Sequence, residues 1–224
     1  MFFLKIDRDL ELRLIHLCDS LNLFKLVDEN RRHLRTWLPW VDNLLFPQQY
    51  VPVIRQWLFE YVNGTGLRAG IYFRGKLAGC VELAGIDFYN RQATIGYFLG
   101  KNHEGKGVMT RAVKALIDFS FLRLRLNRLE IRAGEKNARS RAVAERLGFT
   151  MEGMIRQGEF LHGRYQDVAI YGLLREEWLA TNPENVSHLC PLPSSGAKTV
   201  LIRQKDLPSL PMFPDKDGRG CAKP

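Results

Sequence analysis

The chain has 224 residues, 46% of them hydrophobic and 11% aromatic, which suffices for one sizeable core plus an appendage at roughly 100–200 residues per domain. Its formal net charge of +9 favours anionic partners (nucleic acid, an anionic cofactor, a ribonucleoprotein surface) and says nothing about fold. Cys18, Cys80, Cys190 and Cys221 are far apart, with no CxxC or Cys/His spacing; no metal site is implied, and a reducing cytosol suits them better than a disulfide scaffold. The start, Met1 to Asp9, meets charges too soon for a secretory signal. No apolar run approaches the ~18 residues of a membrane span, so a cytoplasmic protein is expected.

In chain order, Leu10, Leu12 and Leu14 alternate as in a strand. Asp19 is a candidate N-cap for a helix carrying Leu21, Phe24, Val27 and Leu34. Trp37-Leu38-Pro39-Trp40 interrupts it, and Pro52 opens a second helix through Trp57 and Tyr61 that ends at Gly64. Leu67–Phe73 and Leu77–Leu83 flank Arg74-Gly75-Lys76 as a hairpin, and 92–99 reads as a further strand. Thr110–Phe121 is amphipathic, with Ala112, Val113, Leu116, Ile117 and Phe121 on one side. A strand at Leu129–Ala133 precedes a helix from Ser140 to Leu147, closed by Gly148. The run from Phe149 turns at His162-Gly163-Arg164 and ends in a strand over Val168–Leu174. This order predicts a mixed α/β (α+β) sheet rather than a doubly wound parallel one. Seven of the ten prolines fall at or after Pro183, so 1–180 is expected to be the folded domain and 181–224 a Pro-rich disordered tail.

The informative stretch runs from Ile95 to Thr110. A strand enters a loop, Glu104-Gly105-Lys106-Gly107, that opens the amphipathic helix. Successive backbone N–H groups and the positive helix end meet there, an arrangement suited to phosphate or pyrophosphate. There is no GxxxxGK[ST], and Gly105-x-Gly107 is not continued as GxGxxG, which excludes both nucleotide-binding patterns. On their own, two glycines before a helix are more often an ordinary loop.

Residues 104–110 resemble the coenzyme-A loop of GCN5-related N-acetyltransferases (GNAT), whose general pattern is Gln/Arg-x-x-Gly-x-Gly/Ala. Gly-x-Gly-x-Met-Thr is closer to the branch that acetylates ribosomal-protein N-termini. The helix Asn137-x-x-Ser140 through Gly148-Phe149 resembles the same branch. Glu152-Gly153, Gly158-Glu159-Phe160, Tyr165-x-Asp167-Val168 and Arg35–Asp42 extend the likeness, which covers about 5–178. Glu104 departs from the Gln or Arg of the pattern, placing a carboxylate beside an expected pyrophosphate, and Met109 replaces its final Gly or Ala.

The resemblance implies a GNAT fold, with a central sheet splayed at the acetyl-CoA site, and an acetyl-CoA-dependent N-acetyltransferase. It implies that the amides of Phe98 and Leu99 meet the acetyl-pantetheine arm, and that Gly105, Lys106, Gly107, Val108, Met109 and Thr110 form the pyrophosphate cradle. Asn137 becomes a cofactor contact, Ser140 the group that protonates the leaving thiolate, and Glu159 the base for the incoming amine. The plainer alternatives are helix capping for Asn137 and Ser140 and a solvated strand charge for Glu159. Trp37 and Trp40 are core anchors or walls of the acceptor pocket, and their place after the first helix favours the pocket. Tyr72, Tyr89 and Tyr97 read as core or sheet residues. His103 reads as a solvent or phosphate neighbour. The acceptor implied is the N-terminal α-amine of a protein, a ribosomal one above all. The competing readings are a small-molecule amine (polyamine, antibiotic or amino-acid-like), a non-catalytic acetyl-CoA-binding module, and a nucleic-acid-binding module, for which no recognition motif is present. Neither a metal nor a membrane is implied; a homodimer is implied by analogy with related enzymes.

Overall fold

The computed structural model describes residues 2–183. The expected tail falls almost wholly outside them. Eight strands form one sheet in the order β1-β2-β3-β4-β5-β6-β8-β7. These are β1 (Phe3–Lys5), β2 (Leu10–Leu14), β3 (Gly66–Phe73), β4 (Lys76–Asp87), β5 (Gln92–Leu99), β6 (Arg128–Gly134), β7 (Thr150–Leu161) and β8 (Arg164–Leu174). Every neighbouring pair is antiparallel except β5 with β6. The single parallel pair is the one that needs a helical crossover, and α4 (Val108–Leu122) supplies it. The mixed α/β sheet expected from the sequence is therefore the fold.

The helices divide between the two faces. On one, α4 buries Ala112, Val113, Leu116, Ile117 and Phe121 against Leu12, Ile71, Leu83, Ile95 and Leu129. Each Leu, Ile or Phe removed from water there stabilises by about 1.5–3 kcal/mol. The α5 helix (Ala138–Arg146) adds Val143 and Ala144 to the same core. On the other face, α1 (Ser20–Glu29) and α3 (Tyr50–Val62) enclose a second core of Leu23, Val27, Val41, Tyr50, Ile54 and Cys80.

Several boundaries differ from the sequence reading. The first helix stops at Asn30, and α2 (Arg31–Leu34) is a separate turn. Asn30 breaks it because its side chain is drawn to two backbone groups, donating to Leu26 O at 2.8 Å and accepting from Lys101 N at 2.9 Å. Asp19 precedes α1 without capping it by its side chain. Its carboxylate accepts instead from His16 N at 2.8 Å and the Tyr72 hydroxyl at 3.2 Å. Pro52 lies inside the first turn of α3, which begins at Tyr50 after a 3₁₀ turn over Pro47–Gln49. The run after Phe149 is a full strand, β7, joined to β8 by the left-handed pair His162-Gly163 (φ 50° and 77°). Two elements have no periodic signal: β1, with three residues, and α6 (Arg175–Thr181), with seven. The latter is fixed from outside its own pattern, since Trp178 is buried against Phe121 with ring centroids 5.3 Å apart and donates to Asp118 at 3.0 Å.

Candidate active site

The strands β5 and β6 part company midway. Their last residues in register are Ile95 and Ile131; β5 continues to Leu99, while β6 stays with β8 as far as Gly134 opposite Val168. A wedge opens between them. Gly100 N–H donates to Ala78 O at 2.8 Å in register with Phe98 opposite Cys80. Alternation along an antiparallel ladder then turns the Phe98 N–H toward β4, and the N–H groups of Tyr97 and Leu99 toward the wedge. Of the two amides implied by the resemblance, Leu99 faces the opening and Phe98 is committed to the ladder.

At the end of β5 a 3₁₀ turn, Lys101–His103, leads into the glycine loop. Gly105 and Gly107 have φ of 72° and 68°, a left-handed conformation that costs an L side chain roughly 1–2 kcal/mol. A Cβ at either would meet no atom within 4 Å, so space in front of the loop is open. Arg111 N–H closes the first helical turn on Gly107 O at 3.1 Å, and Gly107 caps α4 without any side-chain bond. The N–H groups of Val108, Met109 and Thr110 are thus left without intrahelical partners and carry the positive end of the helix dipole. A pyrophosphate fits this cradle. The Lys106 ammonium takes no part in this opening, because it donates to Asn102 O at 2.7 Å.

Glu104 turns away from the cradle. Its carboxylate bonds to Arg139 on α5 and to His33 on α2, the latter at 3.1 Å. The carboxylate that departs from the family pattern is neutralised by a guanidinium and ties the loop to both neighbouring helices. On the other side of the loop, His103 lines a cavity with Lys25, Asn30, Tyr72 and Lys76. Burial, with Lys106 and Lys76 nearby, lowers its pKa below the ordinary imidazole value.

Across the wedge, Asn137 caps α5 by accepting from Ser140 N at 3.2 Å. Capping alone uses only its side-chain oxygen and leaves the amide donors available. The Ser140 hydroxyl donates to the Tyr97 oxygen at 3.2 Å, and the Tyr97 hydroxyl donates to Ser140 O at 3.0 Å. Burial pushes the Tyr97 pKa up to about 12, which keeps the phenol neutral and able to donate. Tyr97 therefore does more than fill the sheet. No local pattern marks that role, since its partner is 43 residues away. Arg146, whose guanidinium is 3.5 Å from the Thr110 hydroxyl, also had no signal beyond being one of many arginines.

The other wall is the β7–β8 hairpin. Glu159 lies opposite Gln166 and accepts from its amide at 2.5 Å. Gln166 in turn lies over Gly134, where a Cβ would come within 3.2 Å of it. At the hairpin tip, His162 bonds Arg35 O at 2.5 Å, joining this wall to the loop that carries the tryptophans. That loop is held by Arg31, which donates to Val41 O and to Leu44 O, the second at 3.0 Å. The two tryptophans separate here. Trp40 packs edge-on against Phe98 at 5.8 Å and joins the second core, whereas half-buried Trp37 is outside both cores. Among the described residues no group of three or more His, Cys, Asp or Glu side chains is placed to hold a metal, and no helix is long and apolar enough to cross a membrane.

The sheet is split beside a helix N-terminus, with amides facing the split, and this opening offers hydrogen-bond donors suited to an anionic, carbonyl-bearing ligand. Residues 9–150 match the acetyltransferase (GNAT) domain. A Bacillus subtilis protein assigned by its name to the ribosomal N-acetyltransferases, YdaF, is 37% identical over 179 residues, 80% of this chain and 98% of the relative. The ribosomal-protein-serine acetyltransferase of Escherichia coli is 29% identical over 168 residues, 75% and 94% of the two chains. Among solved structures, the ribosomal α-N-protein acetyltransferase RimL in complex with coenzyme A superposes with a TM-score of 0.75 at 28% identity, covering 77% of this chain and 98% of that one. The chain belongs to the GNAT acetyltransferase family and is an N-acetyltransferase.

Proposed function

We propose that the chain transfers the acetyl group of acetyl-CoA to the N-terminal α-amine of a protein, a ribosomal protein in the first instance. The observation that carries the reading is the wedge itself: one bank bears the free Leu99 amide and the glycine-loop cradle, the other Ser140 and Glu159. The likeness to RimL, over nearly the whole of that protein, supports the acceptor class.

Acetyl-CoA supplies an activated acetyl thioester. The amides of Gly105, Gly107, Val108, Met109 and Thr110 hold its pyrophosphate, with the Lys106 main chain completing the loop. Leu99 N–H, beside Phe98, polarises the thioester carbonyl by donating to the oxygen where negative charge develops. Asn137 orients the pantetheine arm with its amide while capping α5. Glu159 accepts the proton of the incoming ammonium, and Ser140, backed by the neutral Tyr97 phenol, delivers a proton to the departing sulfur. Trp40 with Phe98 forms the apolar wall of the acceptor pocket, and Trp37 its outer rim.

Thiol release in the presence of acetyl-CoA tests the acceptor. N-terminal peptides of ribosomal proteins are expected to support turnover well above polyamines or aminoglycosides. Turnover with the small amines alone moves the assignment to a small-molecule acetyltransferase. Stabilisation by acetyl-CoA without turnover on any amine makes the chain a binding module.

A further inference from the structure

The β7–β8 hairpin that carries Glu159 is not a regular ladder. Its register passes from Ile155 opposite Val168 to Glu159 opposite Gln166, so Arg156, Gln157 and Gly158 together face the single residue Asp167. Regular pairing onward from Ile155 would put Gln157 opposite Gln166 and Glu159 opposite Arg164, at the hairpin tip. The bulge thus moves Glu159 by about 7 Å along the strand, at roughly 3.4 Å per residue. The move is toward Gly134, where β6 leaves the β8 ladder. Bulges beside active sites re-aim a side chain in this way.

Asp167 holds the bulge. Its carboxylate accepts from Gln157 N–H at 2.8 Å, and Gln157 sits at φ 52°, a left-handed conformation that disfavours an L side chain. The bond offsets that strain and gives the displaced N–H a partner. Gly158 lets the bulge close, since a Cβ there would come within 3.0 Å of the Ile155 side chain and 3.2 Å of Val168. Alternation along β8 sends neighbouring side chains to opposite faces. Gln166 therefore meets Glu159, at 2.5 Å, while Asp167 meets the bulge. The Asp167 carbonyl also accepts from Glu135 N–H at 2.8 Å, and Gly134 O accepts from Asn137 N–H at 2.8 Å. One residue thereby ties the bulge to the turn that opens α5 and carries Ser140.

We propose that Asp167 is a positioning residue for the acetyl transfer: by fixing the 156–158 bulge it sets Glu159 at the wedge, in one frame with the Ser140 helix. It acts through Glu159 rather than on the substrate, and the role rests on the reading of Glu159 as the base for the amine. General support of the sheet would weaken every step alike. Positioning instead costs activity through the base alone, and the loss is repaired at Gln157.

The test measures kcat/KM for an N-terminal peptide between about pH 6.5 and pH 9, either side of the amine pKa. Asp167→Ala should lose roughly ten- to a hundredfold at the acid end, the scale of a displaced catalytic group. The deficit should shrink toward alkaline pH, with KM for acetyl-CoA unchanged. Asp167→Asn keeps an acceptor oxygen and should retain most of the rate. Added to Glu159→Gln, Asp167→Ala should cost no more than about twofold further, because the two residues act as one unit. Gln157→Gly removes the strain that Asp167 offsets, and combined with Asp167→Ala it should restore most of the rate. Losses that multiply in the double variant with Glu159→Gln, or a deficit equal at every pH and not repaired by Gln157→Gly, overturn the positioning role. Should Asp167→Ala not fold, Asp167→Ser, one atom shorter than the native side chain, takes its place. If Glu159→Gln runs parallel to wild type, the base reading fails, and positioning is read by NMR of the Gln166 side-chain amide. Its resonances should shift in Asp167→Ala and return when Gln157→Gly is added, whereas unmoved resonances remove the role.

Discussion

Tyr97 and Ser140 are joined twice across the wedge, by a phenol-to-carbonyl bond of 3.0 Å and a hydroxyl-to-phenol bond of 3.2 Å. The tyrosine comes from β5 and the serine from the helix that follows β6, so one side chain links the two banks where the sheet no longer does. Tyr97→Phe removes both bonds at nearly constant volume. It should lower kcat by about tenfold, because Ser140 loses the group that orients its hydroxyl, and lower stability by about 1 kcal/mol. The same pair gives a pH signature. Tyr97 titrates at about 12 in the folded chain against roughly 10 unfolded. Below pH ~10 both states keep the proton; between ~10 and ~12 only the unfolded state loses it, so stability falls with rising pH in that window. The two-unit difference corresponds to about 2–3 kcal/mol. Chemical denaturation of wild type and Tyr97→Phe at pH 9 and pH 12 reads it directly: a stability gap that does not narrow or reverse at the higher pH contradicts the buried, neutral phenol.

Glu104 is engaged by Arg139 and His33, so the charge it removes from the cradle is mainly that of Arg139. Glu104→Gln should free that guanidinium to face the anionic cofactor. KM for acetyl-CoA is expected to fall several-fold at low ionic strength, with the gain fading as salt screens it. A rise in KM at low salt would mean that Glu104 matters for holding the loop rather than for its charge.

Legibility in the sequence followed the range of the interaction that fixes each feature. Strand β5 was read to its ends, and the Arg74-Gly75 turn was evident, because alternation and turn chemistry are local. The glycine loop at the start of α4 was evident for the same reason, since Gly105 and Gly107 adjoin the helix they open. The break at Asn30 was not, because it depends on Lys101, 71 residues away. Nor was α6, which exists through the packing of Trp178 on Phe121. In the site, Ser140 and Glu159 came from resemblance alone; the pairing of Tyr97 with Ser140 became visible only once strand register had placed the tyrosine beside the wedge.

Gly107 is the position where side-chain absence matters most for the cofactor. At φ 68° an alanine is strained by roughly 1–2 kcal/mol. Its Cβ would also point into the open space before the loop, where the proposed function puts the pyrophosphate. Gly107→Ala should therefore raise KM for acetyl-CoA by tenfold or more and lower the melting temperature modestly. Acetyl-CoA should stabilise it less than wild type in thermal unfolding. Gly163→Ala, at the hairpin tip with a similar φ of 77° and equally open surroundings, is the control: it shares the strain and should leave KM for acetyl-CoA unchanged. If both variants move that KM alike, backbone strain rather than the cradle explains the effect.

Glu159 offers the sharpest test of the chemistry because its surroundings tolerate the isosteric change. Gln166 donates to Glu159 at 2.5 Å, and a glutamine at 159 can still accept through its carbonyl, so the fold should be nearly unaffected. What is lost is the capacity to take a proton. An N-terminal amine has a pKa of roughly 7.7–8.0, so at about pH 6.5 it binds mostly as ammonium and needs a base. At about pH 9 it arrives largely neutral and does not. Glu159→Gln should thus lower kcat/KM for an N-terminal peptide by about a hundredfold at the acid end, within the usual range for a general base. The deficit should shrink steadily as the pH rises past the amine pKa. Profiles that run parallel from pH 6.5 to 9, whatever the offset between them, would show that Glu159 binds or positions the acceptor without accepting its proton, and would leave deprotonation to water in the wedge.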